Sequence, residues 1–344
     1  MSSDKMTRPS ASSMPSPVSG PLYLGLDGGG TKTLALLGYK LDGHLEIVGA
    51  GQGGASNPRA VGFDLAFQSI DHAIAESFKA ANLNRSCAEK ITLCLAGAGR
   101  PEEKSTVESW IVESQIARQA RVVSEAEAVL EASLPAFLSE HSSNAPAEVA
   151  LICGTGSLAW GRRGNDRSDD PSRFARSGGW GYLLGDEGSG FWIGQKLLQA
   201  ACHAADGRSS ETDLLKAVLQ HLALDSPSQI IGWCYQDAAS RQRIAALAPF
   251  AFQLADRSNG SASNSDVPSE TITQASKDLA AMIRSVVHQL DATSYRLSVA
   301  GSVVIHQPHF LQQVVDLLGR GGLRPLHVAL VDQPALGCLL LATV

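Results

Sequence analysis

The residue types best suited to chemistry appear first at Asp27-Gly28-Gly29-Gly30-Thr31-Lys32, a carboxylate followed by three glycines, a hydroxyl and an ammonium. Three consecutive glycines allow a turn with positive φ and a close backbone approach to a ligand, leaving amides to bond phosphate oxygens. Asp27 then stands where it can hold Mg²⁺ through water, because magnesium dehydrates reluctantly and favours few carboxylates plus phosphate oxygens. Gly154-Thr155-Gly156-Ser157 repeats the device in the second half of the chain, with hydroxyls and amides suited to a second phosphate. Two such turns facing each other would grip a polyphosphate, and the pair is more specific than either alone.

Neither turn is a P-loop, which needs a glycine immediately before its lysine; here Thr31 precedes Lys32, and the turn leads into a strand pattern. Gly154-x-Gly156-x-x-Ala159 fits the loose dinucleotide pattern but opens an apolar strand, so no helix N-terminus would meet a pyrophosphate.

A third segment, from Gly178 to Gly190, has six glycines in thirteen residues around Asp186 and Glu187, with Trp180 and Tyr182 among them. Such a loop is costly to order and points to function rather than packing. Carboxylates accept hydrogen bonds from sugar hydroxyls and an aromatic ring offers an apolar face, so a carbohydrate is a reasonable ligand. Trp180 reads equally as a pocket wall or as a packing anchor.

The elements that must position these groups follow from periodicity. Residues 21–27 form an apolar run that halts at the glycines and resumes over Thr33–Tyr39, a strand, turn and returning strand; Leu45–Gly51 adds a third strand. Gly62–Ala81 has helical spacing, Ile91–Ala96 reads as a strand, Val107–Ala117 as a helix, Arg121–Ser124 as a strand and Ala126–Phe137 as an Ala-rich helix. The opening pattern then returns in Val149–Cys153, the second glycine turn and Ser157–Arg162, which indicates an internal duplication. Helices are predicted over Phe191–Ala205, Asp213–Leu222, Arg243–Ala255 and Thr271–Leu290, with a polar loop at Ser258–Ser269. A strand at Arg296–Ala300, a helix at Phe310–Leu318, a strand at Leu326–Val331 and an apolar helix at Pro334–Thr343 complete the chain. Repeated halves of mixed strands and helices predict an α/β protein with two lobes.

At 344 residues the chain exceeds the size at which one hydrophobic core stops growing. Its 44% hydrophobic and 18% charged residues are those of a globular protein, and a net charge of −6 without a basic run gives no electrostatic reason to bind nucleic acid or an anionic membrane. No run approaches the ~18 apolar residues of a membrane span. Residues 1–20 are rich in Ser and Pro and read as a disordered tail without the apolar stretch of a secretory signal. The six cysteines contain no C-x-x-C pair and read as buried, reduced thiols of a cytoplasmic protein.

Taken together, Asp27-Gly-Gly-Gly-Thr31, Ser56-Asn57, Gly154-Thr-Gly-Ser157, Gly178-Gly-Trp-Gly181, Gly185-Asp-Glu-Gly188 and Ala300-Gly-Ser302 resemble the motifs of the N-acetylglucosamine kinases of the BadF/BadG/BcrA/BcrD ATPase family. That family lies in the sugar kinase, Hsp70 and actin superfamily, and the resemblance spans residues 21–344. It implies a two-lobed, actin-like (ribonuclease H-like) fold, a duplicated domain with a central mixed sheet. Residues 21–124 would form the first lobe and 125–332 the second, with helix 333–344 able to pack back on the first. The resemblance further implies a cytoplasmic homodimer that uses ATP and Mg²⁺ to phosphorylate N-acetylglucosamine at its 6-hydroxyl. Gly28, Gly29, Gly30, Thr31 and Lys32, with Gly154, Thr155, Gly156 and Ser157, would take the ATP phosphates, and Gly301 and Ser302 the adenosine side. Asn57, Gly178, Gly179, Trp180, Asp186 and Glu187 would line the sugar site, Asp186 accepting from sugar hydroxyls.

One position departs from the family. Its catalytic base is an aspartate at the end of the strand before the Ala-rich helix, and Glu125 stands there in this chain. Glutamate can accept the same proton, but its extra methylene moves the carboxylate by about an ångström, which can cost about a hundredfold in rate. Glu127 and Asp186 are the alternatives for the base. Three other functions remain open at this point: a glucosamine or other hexosamine kinase, a non-catalytic sugar sensor, and an ATP-dependent activator of a 2-hydroxyacyl-CoA dehydratase-type enzyme. The last would need cluster-holding cysteines at a dimer interface.

Overall fold

Each glycine motif closes a hairpin at the centre of its own sheet. In the computed structural model, which describes residues 20–137, 146–163, 173–210, 212–237, 239–258 and 267–344, β1 (Leu22–Gly28), β2 (Thr33–Leu41) and β3 (His44–Gly53) form an antiparallel meander. β4 (Ala88–Leu95) pairs in parallel with the other side of β1, and β5 (Ala117–Val123) in parallel with β4, giving the order β3-β2-β1-β4-β5. The second sheet repeats this step for step. β6 (Ala147–Cys153), β7 (Ser157–Arg162) and β8 (Phe174–Gly178) are antiparallel neighbours, while β9 (Tyr295–Ala300) and β10 (Val328–Val331) add in parallel, in the order β8-β7-β6-β9-β10. The duplication read from two glycine turns is thus a duplication of whole-sheet topology, and the fold is the two-lobed actin-like one.

Parallel connections need crossovers, supplied in the first half by α1 (Pro58–Ala80) and α2 (Pro101–Glu113), with α3 (Glu125–Phe137) leading out of β5. The second half carries α4 (Gly190–Ala205), α5 (Thr212–His221), α6 (Gln229–Tyr235), α7 (Ser240–Ala245), α8 (Ala248–Ser258), α9 (Val267–Gln289), α10 (Ser302–His306) and α11 (Pro308–Arg320). The last helix, α12 (Pro334–Ala342), returns to pack on β1 and β4 of the first sheet and on α3. Each sheet has its own core: Leu24, Ile74, Ile91 and Leu93 lie fully buried in the first, and Leu151, Leu279, Val286 and Leu297 in the second. Among the described residues no helix is long and apolar enough to cross a membrane.

Several elements differ from expectation for identifiable reasons. α2 begins at Pro101 rather than Val107, because its first turn is polar; Glu103 caps it by accepting the Arg100 N–H at 3.0 Å. α1 begins before Gly62, where the backbone breaks to φ 81°. The single helix expected over Arg243–Ala255 is two, α7 and α8, since Pro249 has no N–H to continue the first. β8, α6 and α10 are too short to leave a periodic signature. Of the loop expected at Ser258–Ser269, Ser258 belongs to α8 and Val267 to Ser269 to α9; residues 259–266 lie outside the described residues, as does the N-terminal tail to residue 19. All six thiols are free, but burial holds only for Cys94, Cys153 and Cys338; Cys202 and Cys234 are half-buried and Cys87 is exposed.

Candidate active site

The first turn is tight for a reason other than the one expected. None of Gly28, Gly29 and Gly30 has a positive φ. Gly28 is required by crowding, since a Cβ there would overlap Ser56 Oγ and Leu95 Cδ2. Ser56 is fully buried and accepts a 2.8 Å hydrogen bond from the Thr33 hydroxyl. The Gly29 N–H closes the hairpin on the Lys32 carbonyl at 2.9 Å, and Ser56 N–H donates to the Gly29 carbonyl at 3.0 Å. Gly30, Thr31 and Lys32 are left at the tip, the last two exposed.

The second turn is closed by Gly154 N–H donating to the Gly156 carbonyl at 3.0 Å, and it is bolted to the Gly178–Gly190 loop. Gly190 N–H donates to the Gly154 carbonyl at 2.8 Å and Gly179 N–H to the Ser157 carbonyl at 2.9 Å. The Ser157 hydroxyl, expected among the phosphate ligands, is buried and donates to the Glu187 carbonyl at 2.7 Å. Gly301 supports the turn from behind: its φ of 101° and its contact with the Cys153 backbone leave no room for a side chain.

The two turns border one cavity of about 280 Å³. Thr31 comes from the first, Gly154 and Thr155 from the second, and Ser302 at the start of α10 completes a polar wall. Ala245, Phe252 and Val303 add apolar surface to the same cavity.

Asp27 and Glu125 both stand near the C-terminal ends of parallel strands. Asp27 of β1 lies in register with Cys94 of β4, and Cys94 with Val123 of β5, two residues before Glu125 opens α3. Burial raises the Asp27 pKa, opposed by the Cys94 thiol, which donates to Oδ1 at 3.3 Å, and by the Lys32 charge. Glu125 is open to water, yet protein crowds it on most sides; that environment, with the Asp27 charge second, raises its pKa to about 7. Glu127, the alternative base, is already engaged: its carboxylate accepts from Ser124 N–H and Oγ, each at 2.8 Å, and pairs with Arg121 at 3.4 Å.

Among the expected sugar-site residues, Asn57 caps α1 by accepting the Arg59 N–H at 3.0 Å, and its amide lies against the backbone of Gly97. The loop from Gly178 to Gly190 is held by left-handed residues at Gly178, Gly179, Gly181, Asp186 and Gly188. Asp186 is 3% exposed; Oδ1 accepts Ser157 N–H at 3.4 Å and Oδ2 pairs with Arg241 at 3.0 Å. Burial raises its pKa, with these two partners acting against the rise. Glu187 is half-buried. Trp180 is not a packing anchor: it is 72% exposed, with the Arg176 guanidinium 5.6 Å from its ring centre.

Sequence reasoning missed Arg241 and Gln242. They lie on the short helix α7, in a polar stretch with no motif, and only the tertiary fold brings them to the two turns.

The geometry agrees with what the chain is similar to. It is 28% identical over 327 residues, 93% of this chain and 97% of the relative, to an N-acetylmuramic acid/N-acetylglucosamine kinase of Clostridium acetobutylicum. It is 29% identical to an N-acetyl-D-glucosamine kinase of Dictyostelium discoideum, covering 78% of this chain and 80% of that one. A crystal structure of a candidate N-acetylglucosamine kinase from Chromobacterium violaceum superposes with a TM-score of 0.65 at 25% identity, over 94% of this chain and 99% of that one. A model of the BadF/BadG/BcrA/BcrD ATPase family matches residues 24–342, and the chain belongs to that family.

Proposed function

We propose that the protein transfers the γ-phosphoryl group of ATP to the 6-hydroxyl of N-acetylglucosamine. Thr31 and Thr155 carry this assignment: they come from equivalent turns of two topologically identical sheets and border one cavity. Hydroxyls and amides from both turns are the donor set that a polyphosphate needs, and relatives over most of the chain's length are named as kinases of this sugar.

Phosphoryl transfer asks a protein chiefly to position reactants and stabilise charge. ATP, with Mg²⁺, supplies a γ-phosphoryl group activated for attack. Gly28–Thr31 and Gly154–Thr155 would hold its phosphates, with Lys32 beside them, and the pocket between Ser302 and Phe252 its adenosine. Asp27 would hold the metal's water shell. Asn57, Gly178, Gly179, Trp180, Asp186 and Glu187 would surround the sugar, and Ser157 would tether the sugar loop to the phosphate turn. Glu125 takes the proton of the 6-hydroxyl, and a carboxyl with a pKa of about 7 is well matched to that task at neutral pH. This favours a working base over a sensor that has lost catalysis. Closure of the lobes, residues 21–124 with the last helix against 125–332, would exclude water.

The test is a panel of hexoses and amino sugars with ATP and Mg²⁺, ADP release being coupled to a dye and the phosphorylated position read by NMR. N-acetylglucosamine should give the highest kcat/KM and a 6-phosphate. Absence of sugar-dependent ADP release across the panel overturns the assignment.

A further inference from the structure

Helix α7 places two consecutive polar side chains against the two glycine turns. A Cβ built on Gly156 would lie 3.1 Å from Arg241 Nη2, and one built on Gly30 3.3 Å from Gln242 Nε2. Gln242 also lines the cavity with Thr31 and Thr155. Both side chains hold a buried atom that has no hydrogen-bond partner among the described residues, Nε of Arg241 and Oε1 of Gln242. Leaving such atoms unsatisfied is costly. They are expected where a ligand completes the set.

Arg241 is also the ion-pair partner of Asp186 Oδ2, at 3.0 Å. It therefore occupies an oxygen that the sugar hydroxyls would need, while its guanidinium lies against Gly156 at the edge of the phosphate gap. The Tyr182 ring, 5.3 Å from its Cζ, gives the planar group a face along which to move. A guanidinium fork fits carboxylate and phosphate alike, which an ammonium does less well.

We propose that Arg241 exchanges partners: sugar hydroxyls take over the Asp186 carboxylate, and the released guanidinium turns to the nucleotide phosphates beside Gly156, with Gln242 on the Gly30 side. This exchange presupposes the kinase activity proposed above. It makes Arg241 the residue through which the two substrates strengthen each other's binding, and such coupling is reciprocal.

Calorimetric titration of N-acetylglucosamine, with and without a non-hydrolysable ATP analogue, tests it on the wild type, Arg241→Met and Arg241→Lys, each checked for folding by its melting curve. In the wild type the analogue should tighten sugar binding by roughly 5–150-fold. In Arg241→Met that factor should fall to about one, with sugar alone binding no more weakly than to the wild type, because no guanidinium has to be displaced; Arg241→Lys should fall between. Arg241→Met keeping the wild-type factor overturns the exchange. So does an equal loss of sugar affinity with and without the analogue, the pattern of a residue that merely props Asp186. A wild type that binds both ligands with coupling but transfers no phosphate refutes the kinase assignment alone, and one that binds neither refutes both.

Discussion

The Cys94 thiol donates a 3.3 Å hydrogen bond to Oδ1 of Asp27, its lateral neighbour on the adjoining parallel strand. Burial raises the Asp27 pKa, and that bond and the Lys32 charge act against the rise. The two carboxylates, near the C-terminal ends of β1 and β5, are coupled: burial raises both, and the Asp27 charge is the second cause of the rise at Glu125.

Activity should report this directly. The acid limb of kcat/KM, which belongs to the free enzyme, should rise with pH through about 7. Glu125→Gln should remove about 10²–10⁴-fold of kcat, the usual worth of a general base, with sugar affinity from calorimetry changed little. A limb near the pKa of an ordinary carboxylate, or an active Gln variant, would assign the base elsewhere.

The same group should be a burden on stability. Its folded pKa, about 7, lies above the 4.5 of a free glutamate, so the folded protein binds the proton more tightly than the unfolded chain. The contribution is fully present below pH 4.5 and is lost as pH rises towards 7. Glu125→Gln, which cannot ionise, should therefore be more stable than wild type at pH ~8, by about 1 kcal/mol once solvent screening of an exposed side chain is allowed for, and equal to it at pH ~4. Denaturant melts at the two pH values check this, and a difference that is largest at the lower pH contradicts it.

Both hairpins were legible because each pairs an apolar run with glycines and a returning strand, a pattern set by neighbours in sequence. The identical order of the two sheets was only implied, since strand pairing is decided by contacts distant in the chain. Gly28 shows the limit well: its identity was clear but its reason was not, because crowding by Ser56 is invisible until Ser56 is placed. Arg241 left no local signal, since its importance lies in reaching Gly156 and Asp186 from another helix. Ser157 reads as a phosphate ligand in sequence, and its tie to the Glu187 carbonyl could be seen only once the Gly178–Gly190 loop was placed.

Gly28 gives a matched pair of substitutions. Gly28→Ala should cost about 1–3 kcal/mol from overpacking and weaken nucleotide binding, since Ser56, bonded to the turn's Gly29 carbonyl and to Thr33, must move. Gly29→Ala should be tolerated, as its Cβ would meet only the Lys32 carbonyl oxygen, at 3.7 Å. Urea midpoints and fluorescence titration with a labelled nucleotide distinguish them; equal behaviour would mean that the turn is held by flexibility and not by close packing.

The last helix packs on both the first sheet and α3. α12 lies on β1 at Gly25, where a Cβ would overlap Leu339 N, and on α3 at Gly337, where a Cβ would overlap the Ala128 carbonyl oxygen and stand 2.8 Å from Ala132 N. α3 in turn packs on β6, β9 and β10 of the second sheet and carries Glu125 at its start. Gly337→Ala must therefore push α3 away from the first sheet, and Glu125 with it away from Asp27. Backbone is the obstacle, so no rotamer change relieves it, and the loss should be about 1–3 kcal/mol or more in the urea midpoint. Because a shift of about 1 Å at a catalytic group can cost about a hundredfold, kcat should fall with sugar affinity largely kept, and the acid limb should move towards lower pH as the Asp27 charge recedes. Gly232→Ala, on α6 with open space around it, is the control that a generic helical alanine should not harm. If Gly337→Ala behaves like Gly232→Ala in midpoint, kcat and pH limb, close packing of α12 on α3 does not set the position of Glu125.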